Sequence, residues 1–216
     1  MDTKNISPYQ NFGAKYMATT KIKEKLPFLP IYKKIDVDFV ELDRNSDIDS
    51  LRAYVTHKSY SKLSLRFLAN LQKQIFTEGY KAFAITRQRT HHETLSPQKI
   101  IGICDGYFTC DWRDGNIFFI EHLETMSKNN KQQKPNKKIL SFLGFEFQIA
   151  ENIKNVGKAM LKNIIATLGD NIDSIQLESL ASARSFYRHL GFKNDCLNPD
   201  YYRLSFNDFG KLMKKE

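Results

Sequence analysis

Between Phe145 and Phe206 the hydrophobic period of this chain switches repeatedly, and that switching limits its possible folds more than any other feature. Phe145, Ile149, Ile153, Val156, Met160, Ile164 and Leu168 recur every three or four residues. That is the period of one helical face, so much of 141–168 reads as helix, stopped at Gly169. Residues 174–180 (SIQLESL) then alternate as a strand, 182–190 read as a short helix closed by Gly191, and 201–206 as a last strand.

Upstream the texture is similar. Residues 37–42 read as a first strand, and Ser46 with Asp49 has the form of an N-cap pair opening a helix that carries Leu51, Tyr54 and Val55. Leu63, Phe67, Leu71 and Ile75 place an apolar stripe on a second helix over 61–78. Residues 80–87 and 99–112 read as strands, and Arg113-Asp114-Gly115-Asn116 supplies the positive-φ positions of a tight turn, so 117–125 returns antiparallel. The resulting order is strand, two helices, three antiparallel strands, helix, strand, helix, strand. This is an α+β layout with a mixed sheet, within the reach of one domain of 216 residues.

Charge sharpens the division. The net charge is +9, but residues 1–35 hold seven lysines against two acids, and 126–138 hold five lysines and no acid, leaving the rest at −1. Residues 1–35 read as a loosely ordered basic arm, 36–206 as the folded domain, 126–138 as a lysine-rich loop insertion and 207–216 as a tail. A basic chain brings anionic partners into view: nucleic acid, a membrane surface or a phosphate-rich cofactor. No apolar run approaches the roughly 18 residues of a membrane span, and the N-terminus lacks a secretory-signal pattern. Three cysteines without CxxC spacing argue against a disulfide framework or a zinc site, so a cytoplasmic setting is expected. Cys104 and Cys110 share one strand face by parity and are expected to pack as small apolar residues. His91-His92-Glu93 has no third ligand placed beside it and reads as solvated loop, so no metal is expected.

The chemistry-bearing stretch is 175–192 (IQLESLASARSFYRHLGF), joined to 156–173 (VGKAMLKNIIATLGDNID). Ala183, Phe186, Tyr187, Leu190, Gly191 and Phe192 match the pattern AxxFYxxLGF in full, and here the chain resembles the GNAT superfamily of N-acetyltransferases. The motif-specific part is 156–192; the element order resembles the family's over about 36–206.

The resemblance implies a central mixed, mostly antiparallel sheet flanked by helices. It also implies transfer of an acetyl group from acetyl-CoA to an amine acceptor by direct attack in a ternary complex. A diphosphate needs donors, and the first turn of a helix presents unbonded N–H groups at its positive end, which Asn155, Val156, Gly157, Lys158 and Ala159 would supply. The family's Arg/Gln-x-x-Gly-x-Gly/Ala run is degenerate here: 151–159 (ENIKNVGKA) has one glycine and Lys154 in place of an arginine. A second register, with 135–144 as the loop and the helix starting at Ser141, would move binding to Lys137 through Ser141.

By the same resemblance Leu123 and Thr125 lie on the family's fourth strand, against the cofactor, and Tyr187 holds the position of the acid for the leaving thiolate. Glu121 is the leading general base, with His122 and Glu124 ranked behind it. The rival reading is a catalytically degenerate module of the same fold that holds nucleic acid or another anionic partner through its basic segments. A monomer or homodimer is expected, without a membrane.

Overall fold

The β4–β5 hairpin is the spine of the molecule: Ile100–Asp111 and Gly115–Thr125 pair antiparallel from Gly102↔Thr125 to Asp111↔Gly115 across the turn at Trp112–Asp114. Gly115 has φ of +67°, as the Asp-Gly turn signal requires. The computed structural model describes residues 14–26, 31–42, 69, 77–89, 95–96, 99–125, 137–142, 145–150, 153–195 and 198–214, with 137–150 described as backbone only.

Before the spine come β1 (Lys15–Lys25), β2 (Tyr32–Glu41) and β3 (Tyr80–Thr86). After it come β6 (Lys137–Phe142), β7 (Phe145–Ala150), the short β8 (Ile153–Lys154), helix α1 (Val156–Leu168) and β9 (Ser174–Glu178). Helix α2 (Arg184–Leu190), β10 (Lys193–Asn194), β11 (Tyr201–Ser205) and helix α3 (Phe206–Lys214) complete the chain. Nine strands form one sheet in the order β10-β11-β9-β5-β4-β3-β2-β1-β8, with β6 and β7 as a separate hairpin. Among the described residues every pairing is antiparallel except β5 with β9. The α+β mixed sheet expected from the element order is therefore present, and no helix among the described residues is long and apolar enough to cross a membrane.

One sheet face carries the core. Phe39 stacks on Phe83 at 5.1 Å between ring centroids, and Phe83 meets Phe118 edge-on at 6.3 Å. Val156, Met160, Leu161, Ile164 and Leu168 of α1 bury against this layer, each removed from water by an amount worth about 1.5–3 kcal/mol for a full aliphatic side chain. Tyr187 of α2 joins the same layer, with its ring against Phe186, Phe192 and Tyr202.

Several expectations are corrected. Residues 15–25 are not a loose arm but β1, running antiparallel to β2 from Lys15↔Glu41 to Lys25↔Tyr32. Its lysines sit on an alternating strand; Lys15 pairs with Glu41 across the ladder at 3.1 Å, and Thr19 donates to Asp38 at 2.8 Å. Residues 141–150 are not helix; FEFQI alternates apolar and polar with period two, and that period won. Ser141 therefore lies in β6, which removes the second register for the diphosphate loop, Lys137 through Ser141. The C-terminal segment is not a tail, since Phe206–Lys214 is α3, tied down by Phe209 and Leu212. Cys104 is buried as expected, but Cys110 is exposed, because β4 has by then run past its partner β3. The helices expected at 46–55 and 61–78, the loop at 126–136 and His91-His92-Glu93 lie outside the described residues, apart from Ala69 and 77–78 at the end of the second helix.

Candidate functional site

β5 changes character at Glu121. From Ile117 to Ile120 it is paired on both edges, with β4 on one side and in parallel with β9 on the other, ending at Ile120↔Leu177. Across the next step the β4 register jumps: Gly106 faces Ile120, but Asp105 faces His122, leaving Glu121 as an extra residue. This is a β-bulge, which bends the strand and interrupts the ladder. Beyond it, 121–125 stay with β4, while β9 runs on beside β11 at Glu178↔Tyr201. The ladder between the two parallel strands thus stops at the bulge, one residue before β9 itself ends, and its open end forms a wedge between them.

The bulge also reverses strand parity. Phe118 and Ile120 are on the face covered by α1, and without the extra residue His122 would follow them there. Instead Leu123 and Thr125 take the α1 face: a Cβ built on Gly157 would lie 3.5 Å from each and 3.1 Å from the Phe186 ring. The lone glycine of the degenerate loop is thus accounted for by the close approach of α2 and β5 to the start of α1. Val156, Gly157, Leu123, Thr125 and Phe186 thus lie together where α1 begins.

Helix α1 begins from Asn155, in the left-handed region at φ 69°, whose carbonyl accepts the first helical bond from the Ala159 N–H at 2.8 Å. The N–H groups of Val156 and Gly157 precede the first i to i−4 bond and point out of the helix at its positive end. Beside this turn is a cavity of about 240 Å³ ringed by Lys21 and Lys23 of β1, Lys34 of β2, and Asn155, Lys158 and Lys162 of α1. Sequence reading found Asn155, Lys158 and Ala159, but missed four lysines: Lys21, Lys23 and Lys34, which it assigned to the arm, and Lys162. The signal was there in the alternation of 15–25.

On the opposite face the bulge brings Glu121 and His122 beside Asp105. Asp105 is fully buried, and its two carboxylate oxygens are engaged separately: Tyr80 donates its hydroxyl to Oδ2, and His122 Nδ1 lies 2.9 Å from Oδ1. Burial, reinforced by the Asp105 charge, pushes the Tyr80 hydroxyl far above its ordinary pKa, so it remains a donor. Ligand atoms of Asp105, Glu121 and His122 fall within 4.8 Å of one another, close enough to consider a metal. With both Asp105 oxygens already taken up, the arrangement as it stands is a hydrogen-bonded relay.

Tyr187 is buried in the α1 layer, and burial, with Cys104 nearby, raises its hydroxyl above the usual tyrosine value. Glu121 is half-buried and faces Tyr80 and Tyr107, whose pKa values it helps to raise after burial has done so. The structure therefore brings Leu123 and Thr125 to Gly157 at the start of α1, sets Asn155, Lys158 and Ala159 on the cavity against β1 and β2, and places Glu121 at the bulge.

Solved structures share this architecture at the level of fold. An acetyltransferase candidate from Exiguobacterium sp. 255-15 aligns over 82% of this chain and 98% of its own, with a TM-score of 0.52 and 16% identity. AtaTR bound with acetyl-CoA aligns over the same shares with a TM-score of 0.54 and 16% identity, and a bacterial toxin over 87% and 98% with a TM-score of 0.54 and 13% identity. No family model matches the sequence, and no curated protein does. The fold is that of GNAT acetyltransferases, as the motif around Tyr187 implied.

Proposed function

We propose that this protein is an N-acyltransferase that moves an acetyl group from acetyl-CoA to a primary amine by direct attack in a ternary complex. The observation that carries this reading is the wedge between β5 and β9, opening at the Glu121 bulge where α1 begins. Acetyl-CoA supplies the activated thioester. The N–H groups at the start of α1 and the lysines of the adjoining cavity suit a diphosphate, because donors and positive charge converge there. Leu123 and Thr125 offer the backbone edge that β9 has left, which can hold an extended chain by strand-like hydrogen bonds.

Tyr187 is assigned the leaving-group role in a specific form. An ordinary thiol has a pKa of about 8.5, so a thiolate cannot strip the proton from a tyrosine raised by burial. Tyr187 therefore donates a hydrogen bond to the departing sulfur and keeps its proton. Tyr187→Phe should cut turnover roughly ten- to hundredfold, the worth of one hydrogen bond to a charged group, while leaving CoA affinity intact.

The deciding experiment is thermal unfolding with CoA or acetyl-CoA. A ligand that binds only the native state raises the melting temperature in proportion to the logarithm of its concentration, so an unchanged melting temperature at millimolar ligand would sink the reading. The lysine-ringed cavity also favours a second reading, in which a module without catalysis holds nucleic acid. In that case affinity for an oligonucleotide should fall steeply with salt, and no binding at low salt removes it.

A further inference from the structure

Strand β1 lies near one border of the sheet, and its two edges are occupied very differently. The inner edge pairs with β2 from Lys15 to Lys25, whereas on the outer edge β8 meets only Lys23 and Glu24, through Lys23↔Lys154 and Glu24↔Ile153. β8 ends there because Asn155, at φ 69°, turns the chain out of the ladder and into α1. Among the described residues, the outer edge from Lys15 to Ile22 therefore presents its backbone donors and acceptors to no neighbouring strand.

This edge opens on the lysine-ringed cavity. Thr20, Lys21, Ile22 and Lys23 border it from β1, and Lys158 and Lys162 from the flank of α1; Lys34 joins the lining, and no carboxylate among the described residues does. Lys23 and Lys34 sit directly opposite one another in the β1–β2 ladder, a like-charge pair that costs stability. The acids nearby are engaged elsewhere: Asp36, opposite Lys21, is 3.9 Å from Arg89, and Glu24 is held by Lys33 and Arg87. Among the described residues the ammonium groups of Lys21, Lys23 and Lys34 have no ion pair. Lysines on an open edge commonly serve only to repel other strands, but that purpose needs neither a cavity nor two lysines opposed across the ladder.

We infer that the outer edge of β1 takes an extended acidic segment of a partner protein as an additional strand, with its carboxylates directed into the lysine-ringed cavity. The site is independent of the acyltransferase chemistry. A peptide suits this edge better than a nucleic acid, because β1 offers carbonyl acceptors as well as N–H donors, and a phosphate backbone only accepts. A second copy of this chain is opposed by charge, since two β1 edges brought together would set lysines against lysines. Side chains on one face of a strand recur at every second residue, about 6.6–6.8 Å apart. Acids at i and i+2 of the incoming strand thus match the spacing of Lys21 and Lys23.

The test uses the full chain without acetyl-CoA, which would draw on the same cavity. The probe is a labelled octapeptide alternating glutamate and valine, blocked at both ends. Its controls are the same peptide with lysine for glutamate, two versions N-methylated at alternate residues in the two possible registers, and a single-stranded DNA of equal charge. The acidic peptide should bind, and should slow amide exchange within Lys15–Ile22 about tenfold or more. Only every second N–H of a strand points at its neighbour, so one N-methylated peptide should bind like the parent and the other about tenfold more weakly or worse. Lys21→Glu combined with Lys23→Glu should weaken binding about tenfold or more. That double variant should melt no lower than wild type, because the repulsion between Lys23 and Lys34 is gone. The inference is overturned if the acidic peptide does not bind, if the lysine peptide binds equally, if both N-methylated peptides match the parent, or if protection falls outside Lys15–Ile22. It is also overturned if the DNA binds more tightly than the acidic peptide, and the nucleic-acid reading of the cavity then takes its place. An acetyl-CoA that leaves melting unchanged condemns the acyltransferase reading and moves none of these outcomes.

Discussion

The two halves of β5 share one backbone and one neighbour, β4, yet they behave as different kinds of structure. From Ile117 to Ile120 the strand is hydrogen-bonded on both edges, and Ile117, Phe118 and Ile120 are buried among apolar side chains. From Glu121 to Thr125 it is paired with β4 alone, and its side chains include two carboxylates and an imidazole, none of them in the apolar core. One extra residue separates an apolar half from one rich in titratable side chains.

The strongest way to break this contrast is to empty the paired half. Phe118→Ala removes a fully buried ring that contacts Phe83 and Phe108, and should cost about 3–5 kcal/mol in denaturant unfolding. A cost under about 1 kcal/mol would show that this half is not the anchor. At the junction, Gly106→Ala sets a Cβ 2.3 Å from the Phe119 carbonyl oxygen and 2.9 Å from the Phe118 ring, so the backbone itself must move. About 1–3 kcal/mol of destabilisation is expected, with weakened CoA binding, because the bulge is distorted.

The contrast was only half legible in the sequence. The Arg113-Asp114-Gly115-Asn116 turn, the strand read at 174–180 and the α2 stop at Gly191 all follow from local signals, and the structure contains each one, the strand ending at Glu178. Local signals fail where pairing partners are distant. The bulge is invisible in IFFIEHLET, since parity reads straight through it, and the Asp105–His122 contact exists only because of that register jump. β1 was obscured for another reason: lysine-rich composition outweighed an alternation that its partners Glu41 and Asp38 make sense of. The assignment of 141–150 to a helix failed because Phe145, Ile149 and Ile153 fit a four-residue spacing as well as a two-residue one.

Smaller effects sharpen the comparison. The paired half is fastened at its start by Asp173, whose carboxylate accepts from the Asn116 N–H at 2.8 Å and whose carbonyl accepts from the Phe206 N–H at 2.8 Å, where α3 begins. In that first turn Asp208 is held down to about 2 by Lys211, Lys193 and Ser205. A depressed carboxyl contributes stability that is complete above its ordinary value of 3.8 and is lost as pH falls toward about 2. Asp208→Asn should therefore lower the melting temperature at neutral pH, and the gap from wild type should close across that acidic window.

The smallest effect concerns the open half. Burial raises the Tyr107 hydroxyl and the Glu121 charge raises it further, so Glu121→Gln should lower the Tyr107 pKa in an ultraviolet titration. Unfolding free energy should change by no more than about 0.5 kcal/mol. A larger loss would mean that Glu121 supports the strand.

The parallel pairing of β5 with β9 has a kinetic side as well. β5 meets β4 across a three-residue turn, whereas the Asn116–Asp173 clasp beside the β5–β9 pairing closes over 57 residues, including the lysine-rich segment after Thr125. Hairpins form within microseconds, and long closures must lose chain entropy before any contact rewards them. The β4–β5 spine should thus assemble early and β9 dock late, so the wedge comes into being in one of the last folding events. The same order run backwards makes the β5–β9 seam an early point of opening, and amide exchange at Ile117–Ile120 toward β9 should outpace exchange toward β4.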